Sequence, residues 1–259
     1  MTLILLLKLA TMPLVIIAAT LAGRRFGAGV AGLILGLPIV SGPISVFIAV
    51  EQGVGFAQAA TSGTLLGLIA LAAYCLVYAW AARRFDWPGA LACGLAATAG
   101  SLWLLASLEL PEAAVIWLTT ASIAVAILLC PQPGPVRRRA PPPAWDLPGR
   151  ILVSTTVMVS VTLFAPVMGP SLTGMVSTFP VMLSVMAPFT QRVEGRDAAI
   201  AMMRGCVEGL VTFALFFQVL SVTLGHWPPV TAYLAALAAS LTLAIVVLML
   251  QRRRRPGVP

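Results

Sequence analysis

Glycine and proline recur along this chain at one fixed offset, and that recurrence limits the fold more than any other feature. Gly27, Gly32, Pro38, Phe47, Gly53, Gly63 and Gly67 fall, 142 positions on, upon Gly169, Gly174, Pro180, Phe189, Gly195, Gly205 and Gly209. With Ala57/Ala199, Ala59/Ala201 and Leu68/Leu210 the stretch holds about ten identities, where roughly four are expected by chance in so Ala- and Leu-rich a chain. Glycine and proline serve backbone geometry rather than greasiness, so the match marks a duplicated structural unit. Trp87-Pro88 and Trp227-Pro228 recur at an offset of 140, which extends the repeat across a two-residue deletion.

The solvent of both copies follows from composition. Hydrophobic residues make up 60% of the 259, charged residues 9%, and the mean hydropathy is +1.01, far from a soluble domain. The chain reads as a polytopic membrane protein with no room for a soluble catalytic domain. Its net charge of +8 sits at the ends of apolar segments, where it reports membrane orientation and not nucleic-acid binding. Cys75, Cys93, Cys130 and Cys206 stand singly, and His226 is the sole histidine, so no metal pattern or histidine-based triad is expected. No HExxH, GxSxG or paired catalytic carboxylate appears either, so the chain is not expected to be an enzyme or to carry a cofactor.

Nine apolar spans are predicted: Leu3–Ala22, Gly29–Val50, Ala57–Ala82, Gly89–Leu108, Glu112–Cys130, Arg150–Pro166, Ser171–Thr190, Ala198–Leu224 and Val230–Leu250. The first is read as a span and not a cleaved leader, because no basic region precedes it and Arg24 and Arg25 follow it. Residues 1–130 then form the first repeat with a connecting helix, 131–149 a stiff Pro/Arg-rich linker, 150–250 the second repeat, and 251–259 a basic tail. The expected fold is all-α: two four-helix repeats joined by an extra helix and that linker.

The arginines test this count. With nine spans, Arg24, Arg25, Arg83, Arg84, Arg137–Arg139, Arg150, Arg192, Arg196 and Arg252–Arg255 share one side, while Glu51, Glu109, Glu112 and His226 occupy the other. The positive-inside rule then puts the N-terminus outside, in the periplasm, and the C-terminus in the cytoplasm. Five spans precede the linker, so the two repeats enter the membrane from opposite faces. Inverted repeats of this kind are the common architecture of secondary transporters.

Within each repeat the second span is broken, by GLILGLPIVSGP in one copy and GMVSTFPVMLSVMAP in the other. Proline removes a donor and frees a carbonyl one turn earlier, so Gly36, Pro38, Ser41, Gly42, Pro180 and Ser184 are the candidate solute-binding residues. The competing reading is an ordinary kink packed against small residues. Lys8, Arg204 and Glu208 are the candidate buried charges. Arg204 and Glu208 stand four apart and can pair on one helix face, and Glu208, about 15 Å into its span, is the candidate coupling carboxylate. Arg204 snorkelling to the surface, with Glu208 as its neutraliser, is the plainer alternative. Gly63/Gly67 and Gly205/Gly209 read as the packing seam of the repeats.

A Gly/Pro-broken second helix, a turn at Gly53 or Gly195 and a third helix with GxxxG resemble the small four-helix GlpM-type inner-membrane proteins. These are grouped loosely with the drug/metabolite transporter superfamily. The resemblance covers most of both repeats, with Glu112–Cys130 inserted to invert the second. It implies a bacterial inner-membrane protein engaged in transport or in envelope-polysaccharide assembly. The first-helix glutamate of small multidrug exporters is absent, and Lys8 stands in that helix instead. The expected function is a permease for a small solute, with a non-transporting envelope scaffold as the alternative. The expected partners are the bilayer, the solute and, as an option, a second copy in a homodimer.

Overall fold

The structure is a computed structural model that describes residues 2–108, 110–134, 143, 145–164 and 180–254. Residues 165–179, which include Gly169 and Gly174, lie outside the described residues, as does the side chain of Lys8. Among the described residues all regular structure is helical. Before the Pro/Arg-rich stretch come α1 (Thr2–Phe26), α2 (Ala28–Leu35), α3 (Ser41–Gln52), α4 (Val54–Ala81), α5 (Trp87–Ala106) and α6 (Glu112–Leu129). After it come α7 (Asp146–Phe164), α8 (Val181–Val193), α9 (Arg196–Thr223) and α10 (Pro229–Arg254).

Among the described residues five helices, α4, α5, α6, α9 and the Pro229–Val246 part of α10, are long and apolar enough to cross a membrane. The chain is a multi-pass helical membrane bundle. The second predicted span is two short helices: α2 has 8 residues and α3 has 12, roughly 12 Å and 18 Å of rise against a hydrocarbon core of about 30 Å. Pro38 explains the interruption, because it lacks an N–H and drives Leu37 out of helical conformation. The helix α7 begins at Asp146, inside the stretch read as linker, and its Pro148 sits in the first turn, where proline is tolerated.

Two helices 142 residues apart have matching ends. Val54 and Arg196 open α4 and α9, Ala81 and Thr223 close them, and both helices run 28 residues. Each starts on a glycine of the same unusual conformation, Gly53 at φ 88° and ψ 163° and Gly195 at φ 99° and ψ 173°. Side-chain-bearing residues are essentially barred from that region, which is why glycine stands at both places.

Equivalent helices lie side by side and antiparallel. At one end Arg196 donates to the Arg83 carbonyl, just past α4, at 3.3 Å; at the other, Gly225 just past α9 rests on the Gln58 side chain near the start of α4. The last turn of α1 also meets the start of α7, where Arg24 reaches Asp146 at 3.1 Å. The axis of the bundle is α4 with α9. In their apolar stretches 67% of residues are buried, against 22% in α5 and α6 and 17% in α10, which therefore form the periphery.

The tightest crossing joins α2 to α9. A Cβ on Gly32 would run into the Met202 carbonyl, one on Gly205 into the Gly29 carbonyl, and one on Gly36 would stand 2.9 Å from the Gly209 Cα. Backbones this close leave no room for any side chain. Gly205 and Gly209 thus pack as a seam, and the surface they meet is the Gly32/Gly36 face of the other repeat. In lipid such contact matters more than greasiness, because helix association there draws on van der Waals packing.

We expect Gly205→Ala to lower the thermal midpoint of the detergent-solubilised protein sharply or to prevent folding. Gly100→Ala, where an added Cβ meets nothing within 4 Å, is expected to be neutral or stabilising by up to about 1 kcal/mol. Equal behaviour of the two variants would contradict the backbone crossing.

Candidate functional site

The α2–α3 interruption meets the start of α8. Leu37, Val40 and Ser41 from the α2–α3 interruption and Pro180 and Leu183 from the start of α8 line one cavity of about 70 Å³, closed by Leu71 of α4 and other apolar side chains. A second, wider groove of about 730 Å³ opens beside it, between α3 and α10, with Pro38, Gly42, Val46, Val50, Phe216 and Tyr233 in its walls. No charged side chain lines either space among the described residues.

The residues singled out from sequence therefore divide. Ser41 and Pro180 share the cavity, and Pro38 and Gly42 line the groove. Gly36 is taken up by its contact with Gly209 and lines neither. The carbonyl one turn before Pro38 is not left free: Ile34 O accepts from the Leu37 amide at 3.2 Å, because the chain tightens into a turn where the helix stops. Ser184 has its hydroxyl oxygen buried without a hydrogen-bond partner among the described residues.

Arg204 and Glu208 do pair, Nε to Oε1 at 3.5 Å, with a quarter of each side chain exposed. Arg204 also donates to the Cys130 carbonyl at 3.1 Å, which ties α9 to the end of α6. Neither residue is among those lining the cavity or the groove. Lys8 stands at the position equivalent to Arg150, 142 residues apart.

The most heavily bonded polar cluster was read from sequence as an interfacial flank. Arg150 is only 2% exposed and its Nε donates to Asp146, 1% exposed, at 3.0 Å. Arg24 bonds the other carboxylate oxygen. The Arg150 guanidinium goes on to Thr190 Oγ1 at 3.2 Å and the Met186 carbonyl at 3.4 Å, and lies over the Phe189 ring. Charges are costly to bury unless paired and hydrogen-bonded, and here α1, α7 and α8 supply the partners together. The i,i+4 spacing of Asp146 and Arg150 was the signal available in the sequence.

A second tie closes the same end. Tyr78 donates to Gln191 Oε1 at 2.8 Å, and the Gln191 amide donates to the Phe85 carbonyl at 3.0 Å. The end of α4 is thereby held to the end of α8. Glu194, in the next turn, has its pKa raised by burial; Arg150 lowers it, Asp146 raises it and Arg24 lowers it. The arginine end of the bundle is thus latched, and the opposite end holds the groove. Among the described residues no group of histidine, cysteine or carboxylate side chains is placed to hold a metal.

No protein-family model matches the chain, and neither does any curated protein or solved structure.

Asp146→Asn leaves Arg150 buried without its counter-charge, and we expect a loss of about 3–5 kcal/mol in unfolding free energy. Arg24→Ala, whose side chain is 35% exposed, is expected to cost no more than about 1 kcal/mol. A carboxylate whose folded pKa exceeds its unfolded value favours the fold while protonated, and that advantage is lost as pH rises through the ordinary glutamate range. Glu194→Gln should therefore flatten the fall in thermal midpoint from about pH 4 upward; an unchanged profile would show that Glu194 is not held in a burying environment.

Proposed function

We propose that this protein is a secondary transporter of a small solute, built from two inverted repeats of the GlpM type, with its site where the two broken helices converge. The observation that carries the reading is the shared cavity: Ser41 and Pro180, from breaks 142 residues apart in register and in different repeats, face one space. The antiparallel pairing of α4 with α9 supports inversion, because an in-plane two-fold axis requires equivalent helices to meet in that sense, and the end of α1 meets the start of α7 in keeping with it. The setting is the bacterial inner membrane, with nine spans, the N-terminus periplasmic and the arginine end cytoplasmic.

The bundle is then caught open to one side. At the arginine end Arg150–Thr190 and Tyr78–Gln191 tie α8 to its neighbours, whereas α3, the counterpart of α8, meets α10 through the Tyr233–Ser45 bond and leaves the groove beside it. Alternating access would exchange these two arrangements around the cavity. Glu208, paired with Arg204 in the second copy alone, is the coupling carboxylate of this scheme; its first-copy equivalent is Leu66.

Two measurements test it. Reporter fusions at Leu110, in the Arg137 linker and at the C-terminus should place position 110 opposite the other two; a shared side for 110 and the linker would make the repeats parallel and remove the reading's basis. In proteoliposomes carrying a pH-sensitive dye, proton movement driven by a panel of solutes is expected for the wild type and is expected to be lost in Glu208→Gln at unchanged expression. An absence of any flux in the wild type would favour a non-transporting envelope scaffold.

A further inference from the structure

At the arginine end two turns of the chain are tied together, and arginines come with them. The turn after α4 carries Arg83 and Arg84, while Arg192 in the last turn of α8 and Arg196 at the start of α9 flank the other. The Gln191 amide donates to the Phe85 carbonyl at 3.0 Å and Arg196 to the Arg83 carbonyl at 3.3 Å, so the two turns are neighbours. Arg83, Arg84, Arg192 and Arg196 are all exposed. Like charges gathered at one place repel, and the arrangement favours an anion.

The protein itself supplies little negative charge there. Asp197 is engaged by the Gly134 amide at 2.9 Å, and the charges that act on Glu194 are Arg150, Asp146 and Arg24 of the buried cluster. Asp86, exposed just before α5, is left beside the arginines. Arg83 is fixed in place, donating to the Gln132 carbonyl at 3.3 Å with its guanidinium over the Trp80 ring, and Arg196 is fixed by the Arg83 carbonyl. The guanidinium groups of Arg84 and Arg192 bond nothing among the described residues. Their donors are open to a ligand.

The turns do not need these charges to form. At the offset of 142 the counterparts of Arg83, Arg84, Arg192 and Arg196 are Gly225, His226, Val50 and Val54, and at the offset of 140 the first two become Thr223 and Leu224. The matching turns are made without an arginine on either count. Apolar surface flanks the charged version. Trp80 is 49% exposed and donates its indole N–H to the Leu129 carbonyl at 3.0 Å, and Phe85, in the turn itself, is 54% exposed. A tryptophan with an open ring and a bonded N–H suits the headgroup level of a membrane, which puts the arginines at the depth of the lipid phosphates.

We infer that the junction of these two turns binds the headgroup of an anionic phospholipid, with Arg84 and Arg192 on its phosphodiester and the acyl chains passing over Phe85 and Trp80. Such a site requires only a helical bundle in a membrane, whether or not a solute crosses it. Guanidinium suits the task, because its planar fork meets two phosphate oxygens at once. Arg83 and Arg196, already held by carbonyls, add positive charge in fixed positions. A zwitterionic lipid offers the same phosphate but brings an ammonium among the arginines, so the junction selects for net negative charge. The bound lipid clasps the turn after α4 to the turn after α8, beside the Tyr78–Gln191 bond.

Native mass spectrometry of the full chain in a neutral detergent tests this, with phosphatidylglycerol, phosphatidylcholine or glycerol phosphate titrated in. Phosphatidylglycerol should be retained more tightly than phosphatidylcholine and should raise the thermal midpoint, by less at high salt. Arg84→Gln and Arg192→Gln should each weaken its binding roughly fivefold, the worth of one arginine at a charged membrane surface. Arg25→Gln, which removes an exposed arginine belonging to neither turn, should leave the binding nearly unchanged. Equal retention of the two lipids, or equal weakening by Arg25→Gln, would reduce the effect to diffuse attraction and overturn the site. Glycerol phosphate held as tightly as the lipid would assign the arginines to a soluble anion instead. The lipid-free variants should keep the wild-type thermal midpoint, since neither side chain has a bond to lose; a lowered midpoint would give both arginines a structural role and overturn the assignment.

Discussion

Everything in this bundle hangs on the approach of two backbones. Helix α2 is only 8 residues long and could not hold its place by buried surface, because lipid tails are as apolar as its own side chains. It holds by stripping both surfaces to glycine, Gly32 and Gly36 on one side and Gly205 and Gly209 on the other. Once α2 is pinned on α9, the helix stops at Pro38, and α3 goes on along α9 toward Phe216, in the wall of the groove. The crossing therefore sets the position of the break, and the break sets the cavity.

Around that crossing the two halves share a scaffold and differ in chemistry. The 28-residue length of α4 and α9, the glycine caps at Gly53 and Gly195 and the aromatic at 74 or 216 are common property. The ion pair Asp146–Arg150, the Thr190 hydroxyl and Gln191 are not: their counterparts are Ile4, Lys8, Ile48 and Ala49. One end is closed by directional bonds and the other is lined by grease. Directional bonds have one good geometry, whereas apolar contacts slide, so the two ends differ in stiffness as well as in shape.

How far the sequence foretold this depends on what each residue was doing. Residues kept for backbone reasons were readable, since Gly53 and Gly195 announce a forbidden conformation and Pro38 a helix end without reference to any neighbour. The seam at Gly205 and Gly209 was readable as small, but not its partner, because spacing shows that a surface is flat and not which helix lies on it. Arg150 was read as the first residue of a span, and its burial was not legible, because that depends on Asp146, Thr190 and Met186 converging on it, which only the fold brings about.

The one-sided ion pair also sets a direction to the energy landscape. If both ends were closed by equivalent contacts, a bundle that trades their shapes would rest equally in either state. Here closure at the arginine end gains bonds that closure at the far end cannot reproduce, because no counterpart of Asp146 exists there. In the proposed transport cycle the resting population would then be skewed, and a solute entering from the groove would have to bind the other state more tightly to redress it. On that proposal, halves alike in scaffold would differ in which one rests closed.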